Sequence, residues 1–224
     1  MWMAALAFGG LLAAQNGLVV YNKGIGGQNS EQGRARFDQD VIALKPDIVL
    51  IYFGLNDTLN EPRFVPLDRF IGNLEWMLAR ARDSGVRPVL CTIQHVNTER
   101  LLKRHKRESY GEEGPNGKID RYNAAIRRLA RVRQVGLADF ASALDRAGGP
   151  TDTYTPDGVH LTPAGYELLA GCFFESAQPL RGNEKIVCLG DSVTAGVNVN
   201  GKGTAEGSTY PALLRNFKVS TLAR

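Results

Sequence analysis

Five short apolar runs, set apart by longer amphipathic stretches, constrain this chain of 224 residues more than any other feature. Leu18–Asn22, Asp47–Phe53, Arg87–Ile93, Gly136–Asp139 and Lys185–Leu189 are continuous rather than alternating in polarity. That is the pattern of strands buried on both faces. Helical periodicity falls near 31–44, 66–84, 118–133, 162–176 and 208–217, with Pro46 and Pro88 at helix-to-strand transitions and Gly85 where a C-capping glycine belongs. Alternation of this kind predicts an α/β fold. It is a three-layer α/β/α sandwich on a central, mostly parallel five-stranded sheet. Neither an internal repeat nor a linker interrupts it, so residues 1–224 are expected to form a single domain.

Composition narrows the class. The chain is 43% hydrophobic and 22% charged, which is ordinary for a globular protein. A net charge of +4 without a basic stripe or an interleaved aromatic pattern gives no reason to expect a nucleic-acid partner. Cys91, Cys172 and Cys188 are odd in number and form no CxxC pair, so neither a disulfide framework nor a zinc site is expected.

The N-terminal MWMAALAFGGLLAAQNG carries an Ala-Ala-Gln that a signal peptidase could accept. It lacks a Lys or Arg ahead of its apolar run and is too short to span a bilayer, so it is read as a helix leading into the first strand. The expected compartment is cytoplasmic, with secretion the alternative if residues 1–15 act as a signal. No integral membrane association is expected. Residues 99–118, ERLLKRHKRESYGEEGPNGK, form a charged segment after the third strand. It reads as a solvated loop or short surface helix, or else as a lid or subsite for a polar or anionic substrate.

Four stretches carry the chemistry: Gly190-Asp191-Ser192, Asn22–Gly27, Gly54–Asp57 and Asp157–His160. The first three start at the C-terminal ends of strands, where ligands bind in open α/β sheets. A serine hydroxyl needs a base, for which His160 is the candidate, and the base needs an orienting carboxylate, for which Asp157 is the candidate. The N–H groups of Ser192 and Gly27 and the side-chain amide of Asn56 would supply three donors for an oxyanion. Taken singly, each motif has a plainer reading: Asp-Ser a helix cap, Asp-Gly a turn, Gly24–Gly27 a phosphate loop that lacks the required spacing. His95 and His105 sit in no site-like stretch and are not expected to take part.

Together the four stretches resemble the blocks of the SGNH hydrolases, the GDSL-type esterase and lipase superfamily. GDSVTAG resembles its serine block, NKGIGG its glycine block, GLND its asparagine block and DGVH its Asp-x-x-His block. The resemblance implies a flavodoxin-like fold. It also implies Ser192 as nucleophile, His160 as base, Asp157 as its partner, and an oxyanion hole from Ser192, Gly27 and Asn56. The reaction implied is hydrolysis of a small-molecule carboxylic ester through an acyl-enzyme, with no metal and no cofactor. Short-acyl esters, such as acetyl groups on carbohydrates, are the expected substrates. Lysophospholipids, longer acyl thioesters, transfer to an acceptor alcohol and a non-catalytic binding role are the alternatives. The order departs from the family, whose serine block ordinarily comes first. The expected explanation is a circular permutation that places the serine strand centrally in the sheet although it is made last.

Overall fold

The computed structural model describes residues 17–217, so the helix expected at the N-terminus lies outside the described residues. Five strands form one sheet: β1 (Val19–Gly24), β2 (Ile48–Tyr52), β3 (Arg87–Cys91), β4 (Gly136–Ala138) and β5 (Lys185–Gly190). Their spatial order is β1-β5-β2-β3-β4, and every pairing is parallel. β5, last in sequence, therefore lies between the first two strands. Every residue of β2 and Ile186–Gly190 of β5 are buried, as helices on both faces require. The expectation of two-sided burial fails for β1. Among the described residues it is an edge strand with β5 as its one neighbour, and Val19 is 47% exposed.

Helices cover the sheet: α1 (Ser30–Ala35), α2 (Phe37–Asp40), α3 (Leu55–Leu59), α4 (Leu67–Asp83), α5 (Thr98–Leu101), α6 (Gly114–Arg133), α7 (Phe140–Arg146), α8 (Pro163–Ser176), α9 (Ser192–Ala195) and α10 (Tyr210–Asn216). α4 buries Phe70, Leu74, Met77, Leu78 and Ala81, one stripe at helical spacing. α8 starts on Pro163 behind Thr162, whose side chain accepts the Gly165 N–H. Phe173 of α8 stacks on Tyr210 of α10 with ring centroids 5.1 Å apart.

The single helix expected over 31–44 is two short helices and a 3-10 turn. The break falls at Arg36, whose guanidinium donates to Lys23 O (2.9 Å), Gly190 O (2.9 Å) and Asp40 Oδ2 (2.6 Å). Three charge-assisted bonds outweigh the helical bonds lost there. The helix expected from residue 118 begins earlier, at Gly114, because Pro115 suits a first turn.

Register fixes where the loops meet. Gly24 pairs with Gly190, and Gly190 with Tyr52. The turns that follow β1, β5 and β2 thus leave the sheet side by side on its C-terminal edge.

Candidate active site

Ser192 follows β5 after the single residue Asp191 and is the first residue of α9, half-buried at the sheet edge. The turn is tight because Asp191 accepts the Val193 N–H at 3.0 Å, capping α9. It also depends on Gly190, where a Cβ would come within 2.1 Å of Thr194 Oγ1 and 2.5 Å of Tyr52 O.

Asp157 and His160 lie on the loop entering α8. Asp157 Oδ1 accepts the backbone N–H of Val159 (2.9 Å) and of His160 (2.7 Å), which fixes the loop as an Asx turn. Oδ2 then meets His160 Nδ1 at 2.7 Å, and His160 Nε2 meets Ser192 Oγ at 3.1 Å. Burial alone would raise the Asp157 pKa, but the His160 bond and the two backbone N–H bonds outweigh it and bring it down to about 2. Asp157 is therefore a carboxylate at any working pH. It holds Nδ1 of the ring as the donor and leaves Nε2 as the acceptor that faces Ser192 Oγ.

Gly26 and Gly27 follow β1, the strand beside β5. A Cβ on Gly26 would stand 3.9 Å from Ser192 Cβ, and Gly27 has φ +76°, a conformation that favours glycine. Among the described residues, neither the Gly27 nor the Ser192 N–H donates to a protein acceptor. Asn56 is differently placed. Its Nδ2 donates to Gln28 O (2.9 Å) and Asp191 Oδ2 (3.2 Å), so both amide hydrogens are engaged. Burial raises the Asp191 carboxyl to about 7, against the bonds from Val193 N–H and Asn56. Asp57, next to Asn56, faces inward and accepts Ser30 N–H at 3.0 Å, which ties α3 to α1; burial raises it to about 6.

A cavity of about 230 Å³ opens at Ser192 and His160. Leu55, Leu59, Leu101 and Val159 form its apolar wall, and Asn56, Asn60, Arg104 and His105 its polar one. His105, not expected to take part, is among the residues that line the cavity. α5 and the turn after it bring Leu101, Arg104 and His105 of the charged segment to the cavity, and Glu61 Oε2 holds His105 Nδ1 at 2.6 Å. His95 does stay away from the cavity, between Asp120 (2.8 Å) and Asp145 (3.0 Å). Sequence reasoning also missed Asn198 and Arg63. Asn198 Nδ2 donates to Asp157 Oδ2 at 3.3 Å. The Arg63 guanidinium carbon would lie 4.0 Å from a Cβ on Gly27. No motif marks either residue. Leu101 and Leu102, apolar within a charged run, were the available sign that residues 99–118 pack against something.

An aligned serine, histidine and aspartate beside two open amides, at the C-terminal edge of a parallel sheet, is an arrangement suited to acyl transfer on an α/β scaffold. Comparisons make the class specific. The GDSL-like lipase/acylhydrolase family matches residues 4–168. The uncharacterized lipoprotein YqeF of Bacillus subtilis (strain 168) is 32% identical over 177 residues, 70% of this chain and 72% of that protein. The acetylxylan esterase of Geobacillus stearothermophilus is 26% identical over 179 residues, 73% of this chain and 75% of the enzyme. Among solved structures, a GDSL-like lipase from Bacteroides thetaiotaomicron VPI-5482 superposes with a TM-score of 0.57 at 26% identity, covering 69% of this chain and 73% of that one. The chain belongs to the GDSL-like lipase/acylhydrolase family, within the SGNH hydrolases, and is a carboxylic ester hydrolase. None of its described helices is long and apolar enough to cross a membrane.

Proposed function

We propose that Ser192, His160 and Asp157 are the catalytic triad of an esterase that removes short acyl groups, acetyl above all, from small-molecule esters, carbohydrate esters among them. The observation that carries this reading is the unbroken line from Asp157 Oδ2 through the imidazole to Ser192 Oγ, at 2.7 and 3.1 Å. Ser192 Oγ attacks the ester carbonyl while His160 Nε2 takes its proton. The Ser192 and Gly27 N–H groups receive the oxyanion, and Asn56 joins them by turning one N–H away from its longer bond to Asp191. His160 then protonates the departing alcohol, and water repeats the sequence on the acyl-enzyme. Two things support the short acyl group: the cavity of about 230 Å³, and the acetyl specificity named for the Geobacillus relative.

Hydrolysis of p-nitrophenyl acetate by the parent protein and by Ser192→Ala tests the triad. The variant should lose at least about a thousandfold in kcat while keeping its fold. Equal rates in the two proteins would overturn the reading. Across an acyl series, kcat/KM should peak at acetyl to butyryl; a rise toward longer chains would remove the short-acyl preference.

The chain order belongs to the same proposal. We infer that this is a circularly permuted single-domain member of the family. In support, the family match ends at residue 168, ahead of Ser192, while β5 occupies the sheet centre. A chain rejoined from residue 224 to residue 1 and opened before Lys185 should retain esterase activity. Its failure to fold would count against the permutation.

A further inference from the structure

We propose that the site selects esters whose alcohol carries an anionic group, a carboxylate or a phosphate, and that Arg104 recognises that group. This deepens the esterase reading above and rests on it. Arg104 lines the cavity at Ser192, and its Nη2 donates to Asp157 O at 3.0 Å. Among the described residues this is its only side-chain hydrogen bond, and no carboxylate pairs with it. Arg100, Arg121, Arg127 and Arg133 are paired with carboxylates; among the described residues Arg82, Arg87 and Arg215 are not, but none of these lines the cavity at Ser192. Among the described residues no Asp or Glu lines the cavity. Glu61, close by, is taken up by His105 Nδ1 and the Lys106 N–H. The Asp157 carboxylate already accepts bonds from Val159, His160 and Asn198. A guanidinium thus faces the site with its charge uncompensated, and its planar fork suits carboxylate and phosphate oxygens.

Its position assigns the anion to the alcohol half of the substrate. Arg104 is bonded to the loop that carries His160, and His160 must reach the departing alcohol oxygen to protonate it. Arg63, by contrast, stands beside Gly27 on the oxyanion side. Leu101 and Val159 line the same cavity beside Arg104 and give the rest of the alcohol an apolar surface to lie on. Exposed Lys103, Lys106 and Arg107 on the same segment add to the attraction at longer range.

Two ester pairs test the proposal: the acetyl esters of para-hydroxybenzoate and para-hydroxybenzamide, and those of glycerophosphate and glycerol. With rates corrected for intrinsic ester reactivity, the parent protein should prefer the anionic member of at least one pair by about tenfold or more in kcat/KM. The pair that shows the preference distinguishes carboxylate from phosphate. Arg104→Gln should bring that ratio close to one, Arg104→Lys should restore part of it, and added salt should shrink it in the parent. A ratio that is the same in the parent and Arg104→Gln overturns the proposal. A second readout does not depend on turnover. Thermal shifts with the free alcohols should favour the anionic one in the parent and in Ser192→Ala, and not in Arg104→Gln. Loss of Ser192-dependent hydrolysis with this binding pattern intact would count against the triad alone. Equal shifts for the anionic and neutral alcohols in the parent would overturn anion recognition itself.

Discussion

Gly190 and Gly72 are the same residue type under opposite constraints. At Gly190 a methyl would meet Thr194 Oγ1 at 2.1 Å and the backbone oxygen of Tyr52 at 2.5 Å, and the latter belongs to a strand that cannot yield. At Gly72, inside α4, nothing lies within 4 Å and φ is not positive. Gly190→Ala should therefore destabilise the protein by about 2 kcal/mol or more and displace the serine turn. Gly72→Ala should stabilise it by about 0.5–1 kcal/mol, since alanine loses less backbone entropy in a helix. Urea denaturation of both variants checks the pair. A neutral Gly190→Ala would mean that the turn has more room than its contacts indicate. The GDS and GLND stretches were legible in the sequence because turn chemistry is local. Asn198 and Arg63 were not, since only the folded chain brings them to Asp157 and Gly27.

At the scale of elements, His95 joins two helices. It leaves the end of β3 and contacts Asp120 of α6 and Asp145 of α7 through its two ring nitrogens. A neutral imidazole has one N–H and can satisfy only one of these carboxylates; the imidazolium satisfies both. Burial would lower the His95 pKa, but the two carboxylates outweigh it and raise it above the usual histidine value. A raised value means that the folded state binds the proton more tightly. The tie is fully present below the ordinary histidine pKa and is lost as pH rises through the raised one. Tm measured against pH should place His95→Gln furthest below the parent in mildly acid buffer, with the gap closing toward alkaline pH. A gap constant with pH would show that only packing was lost. Strand and helix types were readable from periodicity, because the sheet is buried and the helices are amphipathic. The break at Arg36 was not, because the carbonyls that bend the chain there, Lys23 and Gly190, come from β1 and β5. The same holds for residues 99–118, whose charge suggested solvent while Leu101 and Tyr110 are buried.

At the scale of the whole molecule, the decisive fact is that among the described residues β1 pairs with β5 alone. The two are far apart in sequence, and such closure is slow compared with the pairing of β2 and β3. Pulse-labelled hydrogen exchange during refolding should find β1 and β5 amides protected together, after those of β2 and β3. Early protection of β1 alone would contradict the order. The sheet centre also bears on how the site tolerates change. Arg36 grips the Lys23 carbonyl near the end of β1 and the Gly190 carbonyl at the end of β5 at once, one strand leading to Gly26 and Gly27 and the other to Ser192. A shift of the α1–α2 corner is therefore common-mode: it bears on the Gly26–Gly27 turn and on Ser192 together rather than on either alone. Drift accumulated on that side of the fold would relocate the site without detuning it, whereas a change that releases either carbonyl would detune it at once.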